Sequence, residues 1–315
     1  MLTGSVIVVS YNSELCIEAC LNALVACHNW NIVLVDNASQ DRTLERARHF
    51  EPNILVLSNS ENRGFAAAVN QGIRATESEV CVVLNPDVIA NPNALQNLAD
   101  ALAPNRAGAA GGKLLHGGSP QRGFAIRRFP TLAAALCELL LVNRLWPRNP
   151  WNCHYRCLDV DYNRAQEIEQ PAGACLALKR SAWRDLAGFD EEFFPVWFED
   201  VDFCRRLRNR GWSITYCPQA VFLHSGGHSV RKLSFADRQC FWYENQLRYF
   251  SKHHSKPKVL VLQAAIAAGL LLRCMFFCFG FQANGTSFRQ AVHGYCRAAW
   301  RCTLGQLHRK AKPST

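Results

Sequence analysis

Between Ser251 and Thr315 the 315-residue chain has no aspartate or glutamate, against ten lysines and arginines. The first 250 residues carry 25 charges of each sign, so the formal net charge of +10 sits wholly in the tail. A tail of this kind points to an anionic partner: membrane lipid, nucleic acid or an acidic protein. No C-x-x-C pair occurs among the 15 cysteines, and many lie in apolar runs, as Cys81 does in residues 80–84. That speaks against a zinc or disulfide framework and for small buried side chains in a reducing compartment. A basic start followed by a long apolar stretch is also missing, so secretion is not expected and a cytoplasmic location is. The turn after the first apolar run, Ser10-Tyr11-Asn12-Ser13-Glu14, has no glycine. Neither a G-x-G-x-x-G dinucleotide fingerprint nor a P-loop can be built there, which excludes nicotinamide and P-loop nucleotide chemistry.

What is present is a core-forming composition, 49% hydrophobic and 10% aromatic. Residues 5–10 (SVIVVS), 31–36 (NIVLVD), 53–58 (NILVLS) and 79–84 (EVCVVL) read as buried strands. Helical spacing marks residues 14–27, 41–50 (with Asp41 as N-cap), 63–75 and 91–102 between and after them. This alternation predicts an α/β fold with a mostly parallel sheet flanked by helices. Residues 116–170 are less regular, with an apolar helix over 131–145, and are expected to form an acceptor-side insertion. Further on, 170–179 reads as a strand, 181–186 and 198–211 as helices, and 212–217 and 220–224 as strands.

Ligands of such sheets sit beyond the carboxyl ends of the strands. Here those ends carry Ser10-Tyr11-Asn12, Asp36-Asn37-Ala38-Ser39, Asn59 to Asn62, and Asn85-Pro86-Asp87. Any one of them could be an ordinary turn; four together suit a nucleotide sugar. Asp36 can accept from a base N–H or a ribose hydroxyl. Asp87 can hold Mg²⁺ or Mn²⁺ on a diphosphate, and a neutral His224 can be a second ligand. Glu199 and Asp200 open a helix behind the aromatic run 193–198. Acids there can simply complement the helix dipole, but apolar neighbours also raise a carboxylate's pKa and fit it for base work.

In order and spacing, these pieces resemble glycosyltransferase family 2, whose fold is called GT-A, and within it the bacterial rhamnosyltransferase-like branch. The resemblance runs from Ser5 to Ser229. It rests on Val9-Ser10-Tyr11-Asn12, residues 35–41 (VDNASQD), residues 62–72 (NRGFAAAVNQG), Leu84-Asn85-Pro86-Asp87, Gly173-Ala174, Gly188-Phe189-Asp190-Glu191 and Phe198-Glu199-Asp200-Val201-Asp202. It implies an inverting transfer from a nucleotide sugar, dTDP-L-rhamnose or else a UDP-hexose, to a hydroxyl of a glycan or lipid-linked glycan. Ser10, Tyr11, Asn12, Asp36, Asn37 and Ser39 would hold the nucleoside. Asn62, Arg63, Gly64 and Asn70 would line the donor pocket. Asn85 and Asp87 would stand for the D-x-D motif, with Asp87 and His224 as metal ligands. Asp200 would be the base and Glu199 its neighbour on the acceptor side. Two departures matter: Asn85 replaces the first D-x-D acid, and Gln170-Pro171-Ala172 stands where many relatives have an aromatic. A catalytically inactive sugar-nucleotide-binding subunit is the alternative of a different class.

The catalytic domain is therefore expected over 1–250 and a basic helical tail over 251–315. Residues 259–281 are apolar apart from Gln263 and Arg273, and the unbroken run 264–272 is short for a bilayer span. A helix lying in the interface is expected instead. A second amphipathic helix follows, with Phe288, Val292, Tyr295, Ala299 and Cys302 on one face and Arg289, Arg297, Arg301, Arg309, Lys310 and Lys312 nearby. Both point to peripheral attachment at the inner face of the cell membrane through anionic lipid. No nucleic-acid motif accompanies the arginine cluster at 205–210, so nucleic acid is not an expected partner.

Overall fold

Four apolar runs become the parallel half of one sheet. In a computed structural model, which describes residues 4–226, 232–278 and 286–303, they are β1 (Gly4–Ser10), β2 (Trp30–Asp36), β3 (Leu55–Ser58) and β4 (Val80–Leu84). Their neighbours in sequence are α1 (Ile17–Val25), α2 (Thr43–Arg48) and α3 (Phe65–Arg74). Then come β5 (Val88–Ala90), α4 (Ala94–Ala101), β6 (Ala107–His116), β7 (Ser119–Pro120) and β8 (Ile126–Arg127). The middle holds α5 (Leu132–Leu139), α6 (Val142–Leu145), α7 (Pro150–Tyr155), β9 (Gln166–Glu167) and β10 (Gln170–Pro171). β11 (Cys175–Lys179), α8 (Arg180–Asp185), α9 (Glu199–Asn209) and β12 (Ser213–His224) follow. Three helices close the chain: α10 (Phe235–His253), α11 (Lys256–Cys278) and α12 (Phe288–Thr303).

The sheet order is β3-β2-β1-β4-β11-β6-β12-β5. It is parallel from β3 to β4; β11 then enters antiparallel to both β4 and β6, β12 returns parallel to β6, and β5 closes the edge antiparallel. The buried strands β1 and β4 are apolar on both faces, as a sheet covered on both sides requires. All described cysteines are free. Burial pushes the thiol of Cys81 up to about 11 and that of Cys175 up to about 12, so they behave as inert packing groups.

Several expected boundaries move. Arg42, not Asp41, is the N-cap of α2, though Asp41 still accepts from the Thr43 amide at 3.1 Å. The single helix expected over 131–145 breaks at Leu141, whose φ is 61°. The strand expected over 170–179 is split by a turn at Ala172–Ala174 into β10 and β11. The two strands expected at 212–224 are one, with a register shift between Cys217 and Val221.

The chain forms two compact units. The first comprises Met1–Phe129, Arg156–Pro195 and Glu199–Lys232; the second comprises Pro130–Tyr155, Val196–Phe198 and Leu233–Thr315. Part of the expected insertion and the whole of α10 therefore group with the tail helices. In this second unit the amphipathic α12 buries Ala291, Gly294, Tyr295, Ala298 and Cys302. Its Arg297 pairs with Asp237 at 2.9 Å, and its Arg301 grips Glu244 through two hydrogen bonds, one of 2.8 Å. Of the face expected to meet lipid, Tyr295 and Cys302 are buried and Arg297 and Arg301 are paired within the unit, while Phe288 is exposed. Arg309, Lys310 and Lys312 lie outside the described residues.

Candidate active site

All the acids singled out in the sequence sit at one end of the sheet of the first unit. Asp36 is the last residue of β2, in register with Ser10 of β1. Its carboxylate is buried and accepts from Ser10 Oγ at 2.8 Å, from the Ser39 amide at 2.9 Å and from Ser39 Oγ at 2.5 Å. The turn after β1 is tied to this one. The Asn12 amide donates to Ser39 Oγ at 2.8 Å, and Asn12 Oδ1 accepts from the Gln40 amide at 2.7 Å. Tyr11 and Asn12 are half-buried on this rim, and Asn12 takes a φ of 51° there.

The neighbouring asparagines are scaffold. Asn37 donates to Asn62 Oδ1 and to the Gly64 carbonyl, both at 3.1 Å, and accepts from Asn59 and from the Arg63 amide. Asn62 Oδ1 also accepts from the Gly64 amide at 2.9 Å, which fixes the turn before α3. Gly64 has a φ of 83°, conformational territory that a side chain rarely enters. Asn70 departs furthest from expectation. It is buried, donates to the Phe189 carbonyl and Glu191, and accepts from Trp183 Nε1 and the Phe189 amide. With all four hydrogen-bonding capacities used, it clamps the Gly188–Glu191 turn and has none to offer a donor sugar. Arg63 is exposed.

A second cluster forms where β12 meets β5. His224 is in register with Val88, and the Ser225 amide donates to the Asp87 carbonyl at 3.2 Å. This sets His224 Nε2 3.7 Å from Asp87 Oδ1, both side chains buried. The other ring nitrogen, Nδ1, lies 2.7 Å from Gln121 Oε1, while Gln121 Nε2 donates to the His224 carbonyl at 3.1 Å. That second bond orients the amide, so Oε1 is the acceptor and Nδ1 carries a proton, with Nε2 turned towards the carboxylate. Phe124 stacks on the imidazole at 5.1 Å. A carboxylate oxygen and an imidazole nitrogen at this spacing, beyond hydrogen-bond distance though close enough to pair as charges, could also hold a divalent cation between them. Among the described residues no group of three or more histidines, cysteines or acids is found. The protein would thus give two ligands and leave the remainder to phosphate and water. Gln121 and Phe124 carried no signal in the sequence, since neither type is a ligand and both follow an irregular turn.

The third piece is the start of α9. Asp200 Oδ2 accepts from the Gly173 amide and Oδ1 from its own neighbour's amide at Val201, each at 2.8 Å. Desolvation raises the Asp200 pKa, while these two amides and the positive charge of Arg127 oppose the rise. Glu199 is buried outright, with Oε2 lacking a hydrogen-bond partner. Burial first, then the charge of Asp200, pushes it well above the usual carboxylate range. The link to the second cluster is short. The Asn85 amide donates to the Ala174 carbonyl at 3.0 Å, and Ala174 follows the Gly173 that holds Asp200. A Cβ on Gly173 would stand 3.0 Å from Asp200 Oδ2, so the carboxylate comes this close only because residue 173 is glycine.

Residues 5–184 match the sequence profile of the family described as "Glycosyl transferase family 2". The chain is 32% identical over 249 residues to the N-acetylglucosaminyl-diphospho-decaprenol L-rhamnosyltransferase of Mycobacterium tuberculosis, covering 70% of this chain and 78% of that protein. It is 22% identical over 282 residues to the low-salt glycan biosynthesis hexosyltransferase Agl10 of Haloferax volcanii, covering 86% and 84%. Among solved structures, the mannosyltransferase PcManGT of Pyrobaculum calidifontis, in complex with GDP-Man and Mn²⁺, aligns with a TM-score of 0.57 at 18% identity, over 98% of this chain and 88% of that one. Residues 1–349 of TarS from S. aureus align with a TM-score of 0.51 at 17% identity, over 100% and 93%. At these identities the structures speak for the GT-A fold alone.

Proposed function

Since the chain belongs to glycosyltransferase family 2 and is a glycosyltransferase, we propose that it moves L-rhamnose from dTDP-L-rhamnose to a hydroxyl of a lipid-linked glycan, with inversion. The sugar and the acceptor class follow the rhamnosyltransferase relative, and the dTDP carrier is what the rhamnosyltransferase-like resemblance implies. In this reading Asp36, Ser10, Tyr11, Asn12 and Ser39 bind the nucleoside, and Asn85 and Asp87 face the diphosphate. Mg²⁺ or Mn²⁺, held by Asp87 and His224, would neutralise charge on the departing diphosphate.

Asp200 takes the proton of the acceptor hydroxyl. That oxygen forms a bond to the anomeric carbon as the bond from this carbon to the diphosphate oxygen breaks, and dTDP leaves with the electron pair. Burial and the charge of Asp200 favour the protonated form of Glu199, while the amides of Gly173 and Val201 favour the ionised form of Asp200.

One observation carries the reading: a backbone stretch of two residues ties Asp200 to the segment bearing Asp87, through Gly173 and Ala174. The test is nucleotide release from dTDP-L-rhamnose and from a set of UDP-hexoses, with Mn²⁺ and a lipid-linked acceptor. Asp200→Asn is expected to lower turnover by at least about a hundredfold while leaving the donor-induced thermal shift in place. Undiminished turnover would remove Asp200 as base. A thermal shift with UDP-hexoses alone would replace the donor.

We place the enzyme at the inner face of the cell membrane. Residues Lys256–Phe276 of α11 are long and apolar enough to cross a membrane, and only 28% of that window is buried. Leu260, Val261, Leu271 and Met275 are exposed along it. Arg273, the charge that interrupts the run, donates to the carbonyls of Leu139 at 2.6 Å and Glu138 at 3.0 Å, at the end of α5. It serves as a cap for that helix, which supports an interfacial α11 whose outer stripe is uncharged beyond Lys258.

A further inference from the structure

The second unit holds an apolar feature that the transfer chemistry does not use. From residue 139 to 155 the chain has no acid and carries Arg144 and Arg148. This segment exposes Leu145 at 84%, Trp146 at 54% and Trp151 at 48%, with both arginines exposed among them. It is not a slack loop. Asn149, completely buried, donates to the Trp146 carbonyl at 2.8 Å and to Asn143 Oδ1 at 2.7 Å, and accepts from the Asn152 amide at 2.9 Å. The side chain of Asn152 in turn donates to the Pro147 carbonyl at 2.6 Å. Two buried amides thus hold a leucine and an indole out in solvent, where apolar surface is unfavourable.

We propose that residues 144–151 form a membrane-docking element, with Leu145 and Trp146 entering the headgroup–acyl boundary of an anionic bilayer and Arg144 and Arg148 at the phosphate level. Indoles concentrate at that boundary, and arginines beside it meet the surface charge of anionic lipid. Continuity supports the same occupant. Arg273 of α11 bonds the Leu139 carbonyl just before this segment, between the exposed Leu271 and Met275. The segment expected as an acceptor-side insertion becomes, in part, the means by which the enzyme meets the surface that carries its acceptor. The inference rests on the membrane reading above and adds to it a specific point of contact.

The test is flotation of the full chain with phosphatidylcholine vesicles, with and without phosphatidylglycerol, comparing wild type, Leu145→Glu/Trp146→Glu, Trp146→Phe and Leu271→Glu/Met275→Glu. The loop double variant is expected to bind anionic vesicles at least tenfold more weakly, while its thermal unfolding and its nucleotide release with a water-soluble acceptor stay at wild-type levels. Trp146→Phe should still float but lose part of the fluorescence quenching by brominated lipid. Wild-type flotation by the loop variant, with loss confined to the α11 variant, overturns the loop and leaves the membrane reading standing. Failure of the wild type to float with either vesicle overturns both. Equal wild-type binding to neutral and anionic vesicles overturns the role given to the arginines.

Discussion

Glu199 and Gly173 show how single residues set the chemistry at the start of α9. The folded state favours the protonated form of Glu199, because burial and the charge of Asp200 raise its pKa. Its contribution to stability is therefore present in acid and is lost as pH rises through the raised value. Glu199→Gln removes that titration, so its melting temperature should fall less than the wild type's between acid and alkaline pH; equal slopes in a calorimetric pH series would refute this. Gly173→Ala tests the approach of Asp200. The new methyl presses on Oδ2, and a displacement of about 1 Å can cost roughly a hundredfold in rate. The expected result is a lower kcat with the donor KM nearly unchanged. At this scale the sequence was informative about acids and poor on amides. Asp36 ends β2, Asp87 lies in the turn between β4 and β5, and Asp200 is in the first turn of α9, which brings all three to one end of the sheet. Asn37 and Asn70 stand in equally suggestive motifs, yet their hydrogen bonds are used inside the scaffold. Which way an amide points is decided by partners far away in sequence, Phe189 and Trp183 in the case of Asn70.

Elements with strong periodicity were legible, and those built of small residues were not. β1, β2 and β4 follow from apolar, β-branched runs, while β6 (AGAAGGKLLH) has no β-branched residue and went unforeseen despite its central position. The reason is spatial. A Cβ on Gly111 would stand 2.3 Å from Pro171 Cβ, and one on Gly112 would stand 2.6 Å from the Ala220 carbonyl oxygen. The strand must be thin because β10 and the bulged part of β12 press on it. Gly111→Ala should accordingly destabilise the fold by about 1–3 kcal/mol through overpacking. Chemical denaturation checks this, and an unchanged midpoint would show that Pro171 yields freely. The break at Leu141 was likewise invisible, being marked by no proline or glycine, whereas the bulge in β12 holds Pro218 and was read as a gap between two strands.

Over the whole molecule, charge is segregated: a balanced first 250 residues and a tail of one sign. The folded second unit uses part of that excess internally, at Arg273, Arg297 and Arg301. Attachment to anionic vesicles should then weaken but not vanish as salt rises from about 0.05 to 0.5 M, because screening acts on the remaining cations while the apolar stripe of α11 is unaffected. Complete release at the higher salt would show that charge alone holds the protein there.

The link through Gly173 and Ala174 has an evolutionary corollary. The interval between the Asp200 carboxylate and the Asp87 segment is spanned by main chain at the Gly173–Ala174 turn, so it holds as long as residue 173 stays without a side chain. Insertions elsewhere in the chain leave that main-chain interval, the one proposed for sugar transfer, without recalibration.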